Sequence, residues 1–300
     1  MTDTSSLTAG TAVTSAPVKK RERIWEIDFV RGLCVVLMIL DHLTMLIALY
    51  FGEGWFGRGI PGTGSGAAFC RWCVEFNSSQ TRTAVRTVVL FLFFCISGIS
   101  CSFSRSNLRR GLILAGVAGL YSLATYTIYT FTGMRDVLVV FGVLHFYAAC
   151  ILVYALVGLV FRNRTAVVSL VSAGIAVVVI CLYFLYTPPA DTPLWLAPLF
   201  PHEDFYGNPS PFYSVAAFSP GDICNLIPWS AFFFIGTAIG PYLYARKTSQ
   251  LPLLDGKWNK PVCFIGKYAI FFYLLHVLVL TGLLMLISYL FVTPGDWILF

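Results

Sequence analysis

The sequence predicts an all-α, polytopic integral membrane protein: a helical bundle of about seven transmembrane helices, with room for an eighth and with a cytoplasmic N-terminus. Two properties of the composition predict this class. Of the 300 residues, 58% are hydrophobic and only 11% are charged, about half the charged share of an ordinary soluble domain, and the mean hydropathy is +0.79. The apolar runs also reach the length of about 20 residues that crosses the hydrocarbon core of a bilayer.

The elements follow one another as a polar tail and seven apolar segments. Residues 1–24 begin with a stretch rich in Thr, Ser, Ala and Gly that has nothing to bury, which predicts a disordered cytoplasmic tail. Residues 25–300 are expected to form a single transmembrane domain. Its predicted spans are 27–51, 87–103, 111–131, 137–161, 166–186, 223–244 and 264–292. The first keeps charged residues and lacks a cleavage site, so it is no signal peptide; the last is long enough to be tilted or kinked.

The distribution of Lys and Arg predicts the orientation. Fourteen lie in the tail and in alternate loops on its side of the membrane, and five lie on the other side. Because cytoplasmic loops carry the excess of positive charge, the N-terminus is predicted inside and the C-terminus outside. This argues against a seven-helix receptor, whose N-terminus lies outside. The net charge of +6 is small for a nucleic-acid-binding protein, so no nucleic-acid partner is expected.

Two loops on the predicted outer side differ in composition from the rest. Residues 52–66 hold seven glycines, which predicts a flexible connector or lid. Residues 187–222 hold eight prolines, seven aromatic residues and four carboxylates, among them Asp222, and no Lys or Arg. Such side chains suit a carbohydrate acceptor, although an aromatic belt at the membrane interface is an equal interpretation. Cys70 and Cys73 face outward in this topology, and whether they form a disulfide stays open.

Span one carries four ionisable residues at membrane depth. Arg31 and His42 are eleven residues apart, about 16 Å of helical rise, and lie within about 20° of one face. Asp28 extends this stripe and Asp41 flanks it. An ionised group near the bilayer centre costs about 2.5–3.5 kcal/mol, so such residues face a bundle interior or a wet cavity. The alternatives are a boundary ion pair between Asp28 and Arg31 and a hydrogen-bonded, purely structural Asp41 and His42.

Two further histidines, His145 and His276, are embedded at depths that would let them converge with His42 in one cavity. A packing or capping role is an equal alternative for each of them. Neutral imidazole is a base and a nucleophile near neutral pH, which suits group transfer without a metal. No short metal-ligand spacing occurs, so no metal site is expected.

The stretch EIDFVRGLCVVLMILDH, from Glu26 to His42, resembles the first catalytic helix of membrane acyltransferases related to heparan-α-glucosaminide N-acetyltransferase. The spacing Arg31-x10-His42 is also similar to a motif of the wider transmembrane acyltransferase superfamily. Three further stretches resemble small bacterial members of this group: FCISGISCSFSRSNLRRG at 94–111, FGVLHF at 141–146 and IGKYAIFFYLLH at 265–276.

The resemblance implies a bacterial plasma-membrane enzyme that transfers an acetyl or other acyl group from cytosolic acyl-CoA to an acceptor on the far side, with acetyl-CoA as co-substrate. By this analogy His42 activates the acceptor or carries the acyl group, Arg31 holds the polar end of the donor, and Asp41 assists. The larger enzymes carry their active histidine in the loop after this helix, and residues 52–86 contain no histidine. The spacing Arg31-x10-His42, which is similar to the superfamily motif, therefore implies that His42 is the active histidine here.

The residues themselves also suggest a donor site. Ser104, Arg105, Arg109 and Arg110 form the densest cationic, hydroxyl-rich group at the predicted cytoplasmic mouth, which suits the phosphates of coenzyme A. The alternative is that these charges only set topology. We assign them with Arg31 to the donor, and we assign to the acceptor, expected to be a sugar or cell-surface glycan, the residues Asp28, His145, His276 and Asp222.

Two other functions compete with the acyltransferase. A proton-coupled transporter would use Asp28, Arg31, Asp41 and the histidines as a relay, but the paired broken helices of such transporters are not evident. A non-enzymatic partner in envelope polysaccharide assembly would need neither Arg31 nor His42. The sequence leaves the oligomeric state open.

Overall fold

The computed structural model of the protein describes residues 23–133, 137–186, 198–199 and 222–291, without the side chains of residues 222 and 223. Helices dominate this part of the chain, as the sequence predicts. In order they are α1 (Trp25–Leu46), α2 (Gly52–Phe56), α3 (Ser65–Asn77), α4 (Gln80–Cys101), α5 (Asn107–Thr132), α6 (Val143–Val160), α7 (Thr165–Leu185), α8 (Trp229–Leu243), α9 (Lys260–Lys267) and α10 (Ala269–Phe291). Two short strands, β1 (Val139–Phe141) and β2 (Asp222–Ile223), pair in parallel.

Six helical runs within the described residues are long and apolar enough to cross a membrane: Trp25–Phe56, Gln80–Cys101, Asn107–Thr132, Val143–Val160, Thr165–Leu185 and Ala269–Phe291. The predicted span 223–244 contains α8, an apolar helix of 15 residues. It rises about 22 Å, less than the hydrocarbon core of about 30 Å. The last predicted span, expected to be tilted or kinked, is broken at Tyr268, between α9 and α10.

The glycine-rich connector after span one is shorter than predicted. A π-helical turn, Ile47–Phe51, joins α1 to α2, so the helical run continues to Phe56. Gly52 is helical and packs tightly: a Cβ there would lie 3.0 Å from the Ile47 carbonyl oxygen and 3.2 Å from Ile60 Cδ1. The helix ends at Gly57, whose φ of 82° suits glycine.

Helix α3 is an element that the sequence analysis did not predict. Its apolar residues never form a run of spanning length. Ala67, Cys70 and Cys73 recur every third residue and are buried, which is the spacing of one helical face. The buried side of α3 packs against the region where α1 passes into the π-helical turn.

Glycines bring α4 and α8 into backbone contact. A Cβ at Gly98 would overlap the carbonyl oxygen of Phe233, and a Cβ at Gly236 would overlap that of Cys95. Small residues allow this close approach between helices in a membrane, where association depends on packing. The short helix α8 is thereby held at the centre of the bundle, where it also packs against α7.

A second glycine contact seats α9 against α1. A Cβ at Gly266 would overlap the Asp28 carbonyl oxygen, and a Cβ at Gly32 would overlap that of Val262. Because both obstacles are backbone atoms, rotation of a side chain cannot relieve them. This contact places Lys267, the last residue of α9, on the same side of the bundle as Arg31.

Helices α1 and α4 are antiparallel and are joined by polar contacts at two depths. Towards the start of α1, Arg31 donates to Ser100 Oγ over 2.6 Å. Further along α1, Asp41 accepts two parallel hydrogen bonds from Arg82, Nε to Oδ1 at 2.6 Å and Nη2 to Oδ2 at 2.9 Å. The Arg82 and Asp41 side chains are 15% and 22% exposed. Such a two-pronged contact fixes the register of the two helices.

Breaking this contact should destabilise the bundle. Removing one partner of a buried ion pair costs about 3–5 kcal/mol, and partial exposure lowers our expectation for Arg82→Met or Asp41→Asn to about 1–3 kcal/mol. We expect the double variant to lose less than the sum of the two single losses. The free energy of unfolding, measured by SDS titration in mixed micelles, tests this. Arg86→Met, an exposed arginine one turn further along α4, is the matched control, and additive losses would contradict the pairing.

Candidate active site

The side chain of Arg31 is fixed between α1 and α4. It donates to Asp28 Oδ1 over 3.2 Å as well as to Ser100 Oγ. Arg23 donates to both oxygens of Asp28, over 2.8 and 3.1 Å. The sequence assigned Asp28 to substrate binding, with a boundary ion pair to Arg31 as the alternative. In the structure the guanidinium groups of Arg23 and Arg31 both bind Asp28, which matches the ion pair.

A cavity of about 600 Å³ lies beside Arg31, on the side of the bundle where α1 begins. It is lined by every residue that the sequence assigned to the donor: Arg31, Ser104, Arg105, Arg109 and Arg110. Residues far apart in the chain meet here because α4 ends, α5 begins and α9 ends on this side. The concentration of positive charge in a concave site suits a polyanionic ligand.

Four polar residues of the cavity were not singled out in the sequence. They are Ser97, Tyr147, Lys267 and Tyr273. Lys267 adds a fifth cation, and its Nζ lies 4.7 Å from the centroid of the Tyr268 ring. In the sequence, its positive charge indicates only the orientation of the chain, because the helix break at Tyr268 beside the cavity is a feature of the folded structure. The wall of the cavity is otherwise largely apolar.

His42 of α1 and His276 of α10 meet in the bundle. Their ring centroids lie 4.7 Å apart with the planes at 89°, an edge-to-face arrangement. His42 is partly exposed and His276 is 8% exposed. The sequence predicted that the embedded histidines would converge, and the structure brings these two together.

Backbone carbonyls fix the protonation pattern of both rings. His42 Nδ1 lies 2.9 Å from Met38 O, and His276 Nδ1 lies 2.6 Å from Tyr273 O. A carbonyl oxygen only accepts, so each Nδ1 must carry the hydrogen, and in the neutral ring each Nε2 carries a lone pair. The buried Nε2 of His276 has no hydrogen-bond partner among the described residues. Two neighbouring imidazole lone pairs result.

The cavity and the histidine pair are linked through Tyr273. This residue lines the cavity, and its carbonyl oxygen holds His276 one turn further along α10. Along α1, Arg31 at the cavity and His42 in the histidine pair are separated by about 16 Å of helical rise. Neither His42 nor His276 lines the cavity, so a ligand bound at the cations would have to span about that distance to reach them.

The remaining predicted site residues have other surroundings. His145 Nε2 lies 3.3 Å from Ser122 Oγ, and the His145 ring lies 5.7 Å from that of Phe141, so the structure gives it neighbours different from those of the histidine pair. Asp41 has both oxygens bound by Arg82, which matches its alternative structural role. Asp222 contributes backbone to β2, and its side chain lies outside the described residues.

Comparison with known families decides the kind of protein. A family model described as heparan-alpha-glucosaminide N-acetyltransferase, catalytic, matches residues 67–278, more than two thirds of the chain. The chain belongs to this N-acetyltransferase family. Neither the curated proteins nor the solved structures gave a significant match.

Membership in the N-acetyltransferase family makes the chain a membrane acetyltransferase in general terms. The matched part includes Arg82, the cluster from Ser104 to Arg110, and His276. It begins after α1, so Arg31 and His42 are supported by the resemblance of span one and by the geometry above.

The two cysteines of α3 are free thiols in this acetyltransferase. Cys70 and Cys73 are free and buried. Burial raises the pKa of both thiols, that of Cys73 to about 11, so they stay protonated at neutral pH. Among the described residues, no group of three or more His, Cys, Asp and Glu side chains could hold a metal ion. Most of the predicted acceptor loop, 187–222, lies outside the described residues.

Proposed function

We propose that the protein transfers an acetyl group from cytosolic acetyl-CoA to a carbohydrate acceptor on the other side of the bacterial plasma membrane. The observation that carries the proposal is the cavity lined by Arg31, Arg105, Arg109, Arg110 and Lys267, in a chain of an acetyltransferase family. Guanidinium groups bind phosphate with two parallel hydrogen bonds, so the arginines suit the phosphates of coenzyme A. The charge distribution predicts that this side is cytoplasmic.

The reaction would take place at His42. The apolar walls of the cavity would hold the flexible arm of the donor and point its thioester along α1, away from the cations. His42 lies in that direction with its Nε2 lone pair available, to activate the acceptor or to carry the acetyl group. Asp28, Asp41 and Arg82 would keep α1 in place without touching either substrate.

An amino group suits the histidine pair better than a hydroxyl group. A primary ammonium group donates three hydrogen bonds, and two neighbouring lone pairs can accept from it together. The family is named for N-acetylation of a glucosaminide, and an amino sugar combines that nitrogen with a carbohydrate. His145 and Asp222 remain assigned to the acceptor, further from the reacting atoms.

The ion pairs favour a transferase over a proton-coupled transporter. A relay needs carboxylates that gain and lose protons, whereas Asp28 and Asp41 are bound by arginines.

Residues 25–300 would act as one domain with the N-terminus inside and the C-terminus outside.

Neutralising the cavity should weaken donor binding selectively. Because a charge-assisted hydrogen bond contributes about 1.5–3 kcal/mol, we expect the single variants Arg105→Gln, Arg109→Gln and Arg110→Gln each to raise the KM for acetyl-CoA by about 10-fold to 100-fold, with a smaller effect on kcat. The measurement is transfer of radiolabelled acetyl from acetyl-CoA to methyl α-glucosaminide by the purified full-length protein. Arg246→Gln, an exposed arginine outside the cavity, is the control. Equal KM values in all variants would refute the donor site.

A further inference from the structure

The buried nitrogen of His276 is a polar group that the fold leaves unsatisfied. The residue is 8% exposed, and Nε2 has no hydrogen-bond partner among the described residues. Leaving a buried acceptor without a partner destabilises a fold, and such groups often belong to functional sites. The Tyr273 carbonyl holds the ring so that Nε2 is the basic atom.

Among the described residues, the ionisable groups nearest to His276 on the neighbouring helices are His42, Asp41 and Lys267. His42 faces it from α1 at 4.7 Å between ring centroids. Asp41, the carboxylate next to His42, is bound at both oxygens by Arg82 from α4. Lys267 lies at the end of α9, nine residues before His276 and on the cavity side. The two rings are in edge-to-face contact, so a donor group would have to approach beside them, where it would meet imidazole lone pairs and no free carboxylate among these residues.

We propose that His276 is a second catalytic residue, whose Nε2 takes a proton from the acceptor while His42 takes the other. The inference rests on the proposed acetyl transfer and adds the division of proton transfer between two histidines. An amine binds as ammonium and must lose two protons to become an amide. A single imidazole can accept one of these protons, and the two imidazoles together can accept both.

The protons and electron pairs balance in this scheme. The ammonium gives its first proton to one imidazole, and the freed nitrogen lone pair attacks the carbonyl carbon of the thioester. The C–N bond forms, the C–S bond breaks, and the second proton passes to the other imidazole. The thiolate of coenzyme A takes one proton from an imidazolium and leaves as the thiol, and the other proton goes to water.

The variant His276→Asn distinguishes a catalytic role of His276 from a structural one. The Asn side-chain amide can still donate to the Tyr273 carbonyl oxygen, as Nδ1–H does, but it has no basic nitrogen at the Nε2 position. His276→Ala removes both functions and leaves room for added imidazole. Leu278→Ala, on the same helix and 72% exposed in the wild-type protein, is the matched control.

The test uses purified full-length protein with acetyl-CoA and methyl α-glucosaminide. We expect His276→Asn to bind acetyl-CoA within about twofold of the wild-type Kd by calorimetry and to lose about 10²-fold to 10⁴-fold in transfer, the usual share of general acid–base catalysis. Added imidazole should restore part of the rate of His276→Ala. Unchanged transfer by His276→Asn overturns the proposal, as does a His276→Ala variant that binds acetyl-CoA normally and does not respond to imidazole. If the wild-type protein transfers no acetyl group, it is the proposed function that fails.

Discussion

Replacing His42 with asparagine is expected to reduce acetyl transfer by about 10²-fold to 10⁴-fold, because a positioned acid–base or nucleophilic group contributes that much. Asparagine keeps a donor for the Met38 carbonyl oxygen, so α1 should insert and pack as before. The KM for acetyl-CoA should change little, since the cations that we propose for the donor site lie about 16 Å of helical rise away at Arg31. Initial rates with labelled acetyl-CoA and methyl α-glucosaminide give kcat and KM separately.

The control for this variant is Leu40→Ala. Leu40 is 51% exposed, two residues before His42 on α1, and its replacement should leave transfer within about twofold, because surface substitutions change stability by about 0.5 kcal/mol or less. A His42→Asn protein that is correctly inserted, binds acetyl-CoA and transfers acetyl at a near-normal rate would rule out the mechanism. Loss of both kcat and donor binding would instead indicate that His42 shapes the fold.

Adding one methyl group at Gly266 is expected to be the most damaging change to stability. A Cβ there would overlap the Asp28 carbonyl oxygen and would crowd the Gly32 nitrogen at 2.8 Å. Overpacking costs about 1–3 kcal/mol, occasionally more, and here neither obstacle is a side chain that can rotate away. Gly266→Ala should therefore lower the melting temperature in detergent by several degrees and, by moving α9 from α1, raise the KM for acetyl-CoA.

Gly282→Ala is the matched control on α10. A Cβ at Gly282 would meet no atom within 4 Å, and alanine is favoured over glycine in a helix by about 1 kcal/mol. This variant should melt at or slightly above the wild-type temperature. Equal melting temperatures for the two alanine variants would show that α9 and α1 are not in backbone contact.

The parts of the site that are close in the chain could be predicted from the sequence. Ser104, Arg105, Arg109 and Arg110 fall within seven residues, so their common location followed from local composition. The spacing of Arg31 and His42 followed from helical geometry, because eleven residues return to nearly the same face. The class of fold followed from hydropathy, since only helices with satisfied backbone groups suit such apolar segments.

The pairings between helices could not be predicted in the same way. Depth along a span can be counted from the sequence, but rotation about the helix axis depends on packing. Depth placed His145 level with His42 and His276 one or two turns deeper, yet α10 brings His276 to His42 while α6 brings His145 to Ser122. Arg82 lies in a loop by hydropathy, so its bonds to Asp41 became evident only when α4 was seen to begin at Gln80.

The two ion pairs on α1 also bear on whether protons can leak through the membrane along this helix. The stretch of α1 between Arg31 and Asp41 contains no ionisable group except the buried thiol of Cys34. Arg31 is paired with Asp28 of the same helix, and Asp41 is paired with Arg82 of α4. A chain of free carboxylates at this depth would give protons a conductive path. With the charges paired at each end, α1 offers protons no such path between Arg31 and Asp41.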